Sequence, residues 1–316
     1  MGAALALSER TRGRTAPNPN VGCVLVSEDR VVGRGWTRPG GRPHAEAMAL
    51  AEAGEKSRGA TCYVTLEPCA HVSSRGPACA DLLIEAGVGR VVIALGDPDP
   101  RTDGAGAAKL RAAGIEVDDD VAPGAARTAM AGFLTRQAKR RPYVTLKLAT
   151  SLDGRIALPS GESRWITGPE ARAHAHLERA RHEAILVGRR TWEADRPKLD
   201  VRLPGLEARS PRRLLLSRHL REGGDDGVWL AEPADVANLD GIDHLLVEGG
   251  AETAAAFLRE ELVDRLLLYR APILIGSGKP ALGDLGLVDL ASAHGRWRLI
   301  DTRMLGSDRL EVYANS

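Results

Sequence analysis

The sequence predicts an α/β fold in two domains, and three observations carry that expectation. Apolar runs of strand length alternate with segments of helix length along most of the 316 residues, the pattern of sheets covered by helices. The length suits two domains of ordinary size, and a hydrophobic content of 43% is enough for a core in each. The pattern also restarts at Pro142, directly after a helical segment ending in Arg136, Lys139, Arg140 and Arg141, charges that suit a helix C-terminus. The boundary is placed near 141–143, giving domains 1–142 and 143–316 with no low-complexity linker between them.

In the first domain residues 2–12 read as a helix, and Pro17-Asn18-Pro19 as a rigid loop, because each proline restrains the residue before it. Residues 21–27 are a continuous apolar run, hence a buried strand, and Glu28-Asp29 turns it into a second strand over 30–36. Residues 44–54 form a helix stopped by Gly54, with His44 and Glu46 on its first turn. A strand over 60–66 ends at Glu67-Pro68-Cys69. A helix over 77–87 carries Cys79 in its first turn, where a helix N-terminus favours the thiolate. A strand over 90–95, the loop Asp97-Pro98-Asp99-Pro100, a helix over 104–114, a short strand over 115–117 and a helix over 123–140 complete the half. Cys23 and Cys62 fall inside strands and read as small core residues.

The second domain opens with a strand over 143–149 and the polar stretch around Ser151-Leu152-Asp153-Gly154-Arg155. Thr167 can cap a helix over 169–182, and a strand over 183–188 runs into Arg189-Arg190-Thr191-Trp192-Glu193. Strands follow over 212–217, 227–231 and 242–247. The last leads directly into Glu248-Gly249-Gly250 and a helix over 251–261. Strand, paired glycines and helix N-terminus make a natural phosphate cradle, although Gly-Gly before a helix is equally the mark of a tight turn. Strands over 264–271, 296–304 and 308–314 close the sheet with antiparallel character.

Composition narrows the function. A net charge of +1 with interspersed acids and bases implies no basic face, and aromatics are only 3%, so no nucleic-acid partner is expected. No apolar run approaches membrane length, and residues 1–11 lack a signal-peptide core. Four cysteines in so long a chain are not a disulfide framework; they suit a reducing, cytoplasmic setting and thiolate metal ligands. A homo-oligomer is compatible with everything in the sequence.

The chemistry concentrates in His44-Ala45-Glu46, Pro68-Cys69 and Cys79. One imidazole and two thiolates make three ligands for zinc and leave a fourth position for water. Glu46, two residues past His44, is placed to reach that water. This is the layout of the zinc deaminases, in which H-x-E is followed by P-C and a further Cys. The spacing departs from P-C-x-x-C, because residues 70–78 separate Cys69 from Cys79. A structural zinc site, or two buried thiols, is the alternative, and it leaves Glu46 and Pro68 without a reason. His71 is a rival third ligand, ranked below Cys79. Asn18 either reads the edge of a heterocycle or shapes its own loop.

Three stretches carry a specific resemblance: residues 15–24 (Thr15-Ala16-Pro17-Asn18-Pro19-Asn20-Val21-Gly22-Cys23-Val24), Pro43-His44-Ala45-Glu46, and residues 60–71 ending Leu66-Glu67-Pro68-Cys69-Ala70-His71. Together they resemble the deaminase half of the bifunctional riboflavin-biosynthesis deaminase/reductases, a family that also has the long loop between its cysteines. The resemblance implies a cytidine-deaminase-like three-layer α/β domain, with His44, Cys69 and Cys79 binding zinc and Glu46 shuttling protons. The loop is one residue longer than the family pattern, and Gly76-Pro77-Ala78-Cys79 replaces its Pro-Pro-Cys ending.

The second half resembles the reductase domain of the same family through Thr145-Leu146-Lys147-Leu148-Ala149-Thr150-Ser151-Leu152-Asp153-Gly154, Trp165-Ile166-Thr167-Gly168, Val247-Glu248-Gly249-Gly250 and Ala271-Pro272. That resemblance implies a dihydrofolate-reductase-like α/β fold. It places NADPH along Ala149, Trp165, Thr191, Asp195, Ser217 and the stretch Gly250, Ala251, Glu252, Thr253, Ala254, Ala255 and Ala256. It places substrate at Ser163, Arg179, Leu199, Arg202 and Glu248. Arg196 stands where the family has a second Asp, and Arg189 and Arg190 are candidates for the cofactor's 2′-phosphate.

The implied activity is zinc-dependent deamination of 2,5-diamino-6-ribosylamino-4(3H)-pyrimidinone 5′-phosphate, a small phosphorylated pyrimidine. NADPH-dependent reduction of the ribosyl group to ribityl follows. The rival is a deaminase whose second half binds without reducing.

Overall fold

The computed structural model describes residues 1–71, 75–218 and 228–315. The middle of the expected loop over 70–78 and the first residue of the expected strand over 227–231 lie outside them. The chain divides into two compact units, Met1–Arg140 and Arg141–Ser316.

The first unit runs α1 (Gly2–Ser8), β1 (Gly22–Ser27), β2 (Arg30–Trp36), α2 (Ala45–Ala53), β3 (Thr61–Val64), α3 (Cys79–Glu85), β4 (Arg90–Ile93), α4 (Ala105–Ala112), β5 (Glu116–Asp118), α5 (Pro123–Ala129) and α6 (Ala131–Lys139). Its sheet has the order β2-β1-β3-β4-β5. β1 is antiparallel to both neighbours, and β3, β4 and β5 are parallel. Two glycines fix how closely helices lie on it. A Cβ at Gly22 would collide with the carbonyl oxygen of Ala4 in α1, and one at Gly35 with that of Ala45 in α2. Gly35 pairs with Cys23, the residue after Gly22 on β1, so the two helices lie on opposite faces and the unit has three layers. Cys23 and Cys62 are fully buried in its core, their sulfurs 3.5 Å apart.

The helix expected over 123–140 is instead two, broken at Met130. The buried amide of Asn20 donates to the carbonyls of Ser8 and Ala129, drawing the Ala129 carbonyl out of the helical ladder. Burial of the whole Met130 side chain holds the break in place.

The second unit runs β6 (Tyr143–Thr150), β7 (Arg155–Ala157), α7 (Pro169–Arg179), β8 (Ala184–Gly188), α8 (Arg189–Asp195), β9 (Arg212–Leu216), β10 (Trp229–Leu230), β11 (His244–Val247), α9 (Ala251–Arg259), β12 (Arg265–Arg270), β13 (Lys279–Pro280), β14 (Trp297–Leu305) and β15 (Asp308–Asn315). Eight strands form one sheet in the order β10-β9-β8-β11-β6-β12-β15-β14, and β13 pairs with β7. The first six are parallel; β15 and β14 add antiparallel pairings, as the terminal pattern predicts. β8 and β11 are buried along their whole length, which is why they read as unbroken apolar runs. The bidentate pair of Arg141 with Asp264, at 2.6 and 2.9 Å, ties the start of β6 to that of β12. The sequence reading did not anticipate α8, nor the β7–β13 pairing, whose strands are too short to show a period.

Candidate active sites

Each unit carries a pocket placed where parallel strands end. In open α/β sheets ligands bind beyond the carboxyl ends of the strands. In the first unit β3 leads into Glu67-Pro68-Cys69 and β4 into Asp97. The tight contact of Gly35 with Ala45 pins the first turn of α2, and with it His44, the N-cap, and Glu46.

His44 Nδ1 lies 3.2 Å from Cys79 Sγ and 3.7 Å from Cys69 Sγ. The three donor atoms fall within 4.8 Å of one another, the one such group among the described residues. Tetrahedral zinc holds N and S donors about 3.6 to 3.8 Å apart at ordinary bond lengths. Donor set and spacing therefore fit zinc, with a fourth position left over. His71 lines the same pocket but stands outside this group; its Nδ1 is buried without a hydrogen-bond partner.

The electrostatics suit proton transfer. Burial pushes the Glu46 carboxyl up, against the pull of His44. Burial acts downward on His44, but its hydrogen bond to Cys69 and the charge of Glu46 outweigh it and leave its pKa raised. The helix start at Cys79 lowers the thiol pKa of its neighbour Cys69 rather than its own. Hydrogen bonding from the Cys79 thiol, then from His44 and the Cys79 backbone N–H, holds Cys69 well below the usual thiol range, while Cys79 is pushed up. The cause is geometric: the N–H of Cys79, at the helix start, points at Cys69 Sγ across 3.3 Å.

Asn18 lies with its amide 3.2 Å from His44 Nε2. The facing atom is Asn18 Nδ2; a neutral imidazole that offers Nδ1 to a metal keeps its proton on Nε2, so with metal bound the Asn18 amide would turn over to accept through its carbonyl oxygen. The residue braces the ligand as well as lining the pocket.

The pocket is a cavity of about 350 Å³. Glu46, Glu67 and Asp97 are buried in its wall, whereas Arg75 and Arg101 are exposed and Arg42 half-buried. Burial, with the nearby charges of Asp99, Glu67 and Cys69, raises the Asp97 carboxyl to about 6. Acids deep and cations at the rim match a small amino-heterocycle carrying a phosphate. Sequence reasoning missed Asp97 and the three arginines; the position of Asp97 just past a buried parallel strand was the available signal.

The second unit's cavity, about 500 Å³, is lined by nine of the predicted residues: Ala149, Ser163, Trp165, Arg179, Thr191, Asp195, Leu199, Arg202 and Glu248. Glu248 ends β11 and is gripped by Arg179 at 2.7 and 2.9 Å, with Lys147 Nζ at 3.8 Å. Burial acts to raise this carboxyl, but Lys147 and Arg179 overcome it and hold it near 2. Trp165 is 64% exposed and lies against the Arg172 guanidinium at 4.7 Å, a flat surface for stacking. Leu199 also belongs to a small core cluster with Ile185, Val187, Leu215 and Leu246. Arg196 lines the cavity at the C-cap of α8, and Asp195 pairs with Arg164 at 3.3 Å. Lys147 and His176 were missed; a lysine inside the apolar strand β6 was the legible sign for the first.

Ser217 lies outside this lining, its N–H donating to Leu230 at the end of β9. Gly250 caps α9 and stands against Thr191, and α9 has no side-chain cap, so Ala251, Glu252 and Thr253 contribute the backbone N–H groups of its first turn. Ala254 and Ala255 are wholly buried and Ala256 half-buried, so these three pack the core. No helix among the described residues is long and apolar enough to cross a membrane.

Comparison with known proteins covers both units. Residues 1–95 match the cytidine and deoxycytidylate deaminase zinc-binding region, and residues 142–237 and 234–310 match the RibD C-terminal domain. The chain is 41% identical over 319 residues to the riboflavin biosynthesis protein RibD of Aquifex aeolicus, covering 90% of this chain and 89% of that one. It is 39% identical over 357 residues to that of Escherichia coli, covering 98% and 96%. Among solved structures, Acinetobacter baumannii RibD superposes with a TM-score of 0.89 at 36% identity, covering 100% of this chain and 97% of that one. The Thermotoga maritima diaminohydroxyphosphoribosylaminopyrimidine deaminase/5-amino-6-(5-phosphoribosylamino)uracil reductase does so with 0.89 at 32% identity and the same coverage.

Proposed function

The chain belongs to the RibD family of bifunctional riboflavin-biosynthesis deaminase/reductases, and from that premise we propose how its two pockets divide the reactions. The first unit deaminates a diaminopyrimidinone ribosyl phosphate. His44, Cys69 and Cys79 would hold zinc, which would supply a Lewis acid able to activate water near neutral pH. Glu46 takes one proton from the attacking water and gives it to the ring nitrogen, then takes the second from the new hydroxyl and gives it to the amino group, which leaves as ammonia. Its raised pKa keeps it able both to accept and to give. Asn18 holds the His44 ring in place. Arg42, Arg75 and Arg101 at the rim receive the phosphate.

The second unit reduces C1′ of the ribosyl group to give the ribityl chain. NADPH supplies the hydride, and the protein supplies orientation. The first turn of α9 offers N–H groups that would receive the cofactor's phosphates, Trp165 offers a stacking surface, and Arg179 and Arg202 would grip the substrate. The fit is chemical. The lining holds Lys147, Arg164, Arg172, Arg179, Arg196, Lys198 and Arg202 against Asp195 and Glu248, a cationic surplus suited to two phosphorylated ligands. The reading of the second half as a mere binding domain drops out, because the identity to bifunctional relatives runs through both halves.

The observation that carries the proposal is the convergence of one imidazole, two sulfurs and a buried carboxylate on one pocket. Glu46→Gln tests it: zinc content stays at one per chain while ammonia release falls by about 10³-fold, the middle of the range for a general acid–base. Loss of zinc together with activity would assign Glu46 to the metal site instead. Consumption of NADPH with the deaminated substrate tests the second half.

A further inference from the structure

We infer that His176 is a positioning residue of the reductase pocket, one that holds Arg202 at the pocket rim only while its imidazole is neutral. The inference rests on the reading of Arg202 as a substrate grip.

Arg202 places a donor against each ring nitrogen. His176 Nδ1 lies 3.1 Å from the Asp200 carbonyl oxygen, to which it can donate, and 3.2 Å from the Arg202 backbone N–H, from which it can accept. With the proton on Nδ1, Nε2 accepts from the Nε and Nη2 groups of Arg202 at 3.4 and 3.3 Å; with it on Nε2, Nδ1 accepts from the Arg202 backbone, so a neutral ring holds Arg202 in either tautomer. Arg202 is otherwise weakly held: its side chain is 56% exposed, and its nearest carboxylate oxygen is Asp200 Oδ1 at 3.7 Å. The same Asp200 carbonyl accepts from Arg179 Nη1 at 3.0 Å, and Arg179 in turn grips Glu248. One polar chain therefore runs from the rim to the floor of the pocket, with His176 as its only link that can titrate near neutrality.

A second proton on His176 would remove the lone pair and set a cation against Arg202. The groups facing the ring are Arg179 from its own helix, Arg202 and Asp200 from the segment after α8, and Glu248 from the end of β11. Burial and the two arginines hold its pKa below the usual value, so the neutral form prevails at physiological pH.

Steady-state reduction of 5-amino-6-(5-phosphoribosylamino)uracil by the full chain decides the matter. His176→Ala is expected to raise KM about tenfold, the scale of one lost hydrogen bond to a charged group, with kcat within twofold. His176→Gln is expected to restore KM, because its amide can donate to Asp200 and accept from Arg202. Wild-type KM rises on acidification below neutrality, and the Gln variant loses that rise. In a double-mutant cycle His176→Ala adds nothing once Arg202→Ala is present. An unchanged KM in His176→Ala, or a Gln variant that keeps the acid limb, overturns the role of His176. An unchanged KM in Arg202→Ala alone overturns instead the underlying reading of Arg202.

Discussion

Glu67 precedes the Pro68-Cys69 turn, and its side chain bears more of the deaminase pocket than its place in the motif suggests. It is 4% exposed, and its carboxylate accepts three backbone N–H groups: Ala107 at 3.0 Å on one oxygen, Gly104 at 3.0 Å and Asp97 at 3.3 Å on the other. It thus caps the start of α4, whose N-cap is a glycine without a side-chain bond, and ties down the loop that presents Asp97. Glu67→Gln keeps the shape but puts an NH₂ group where one oxygen was. In the less costly amide orientation only Ala107 loses its acceptor. An orphaned buried donor costs about 1–3 kcal/mol, and removing the negative charge from the helix start adds about 0.5–1 kcal/mol. The expected loss is about 1.5–4 kcal/mol. Glu67→Ala orphans all three donors and should lose more. Urea unfolding of the metal-loaded chain by circular dichroism measures both, and KM for deamination should rise as the loop loosens. A Gln variant within about 0.5 kcal/mol of wild type, the spread of an ordinary surface substitution, would refute the reasoning, as would an Ala variant no worse than Gln.

Three further outcomes follow from charges in the two pockets. Asp97 has a folded pKa near 6, above its unfolded value, so its ionisation costs stability above pH 6 and nothing below the unfolded value. Asp97→Asn should raise the melting temperature at pH 8 and not at pH 3.5 while weakening deamination; equal shifts at both pH values would exclude a charge effect. Glu248 is the opposite case: its pKa near 2 contributes stability present above the unfolded value and lost as pH falls toward 2, about 3 kcal/mol as an upper limit. Arg179→Met should therefore move acid unfolding, followed by ellipticity, to higher pH; an unmoved transition would mean that Lys147 alone suffices. Arg189 is turned onto Glu193 at 3.2 Å while Arg190 is exposed, so Arg190→Gln should cut the preference for NADPH over NADH by about tenfold, or 1.4 kcal/mol, and Arg189→Gln by less. A preference that survives both changes would remove this stretch from the 2′-phosphate.

What the sequence made legible has a common physical basis. Strands β8 and β11 are buried on both faces and so print unbroken apolar runs. His44, Glu46, Cys69 and Cys79 are uncommon side chains tied to short-range features, a helix first turn and a strand end, so their meeting could be inferred from order along the chain. The break at Met130 was not legible, because its cause is Asn20, 109 residues from the carbonyl it takes. Arg75 and Arg101 were not legible for a related reason. Arg and Lys number 43 in this chain, and chemistry alone cannot rank one above another. Only placement can. Arg202 acquires its meaning because α7 brings His176 against it from 26 residues away, while Arg179, one helical turn further along α7, reaches Glu248. A metal site can be read from rare residues; a phosphate-gripping rim, built from the commonest charged ones, becomes visible only once the fold has sorted them into those that pair with each other and those left facing the pocket.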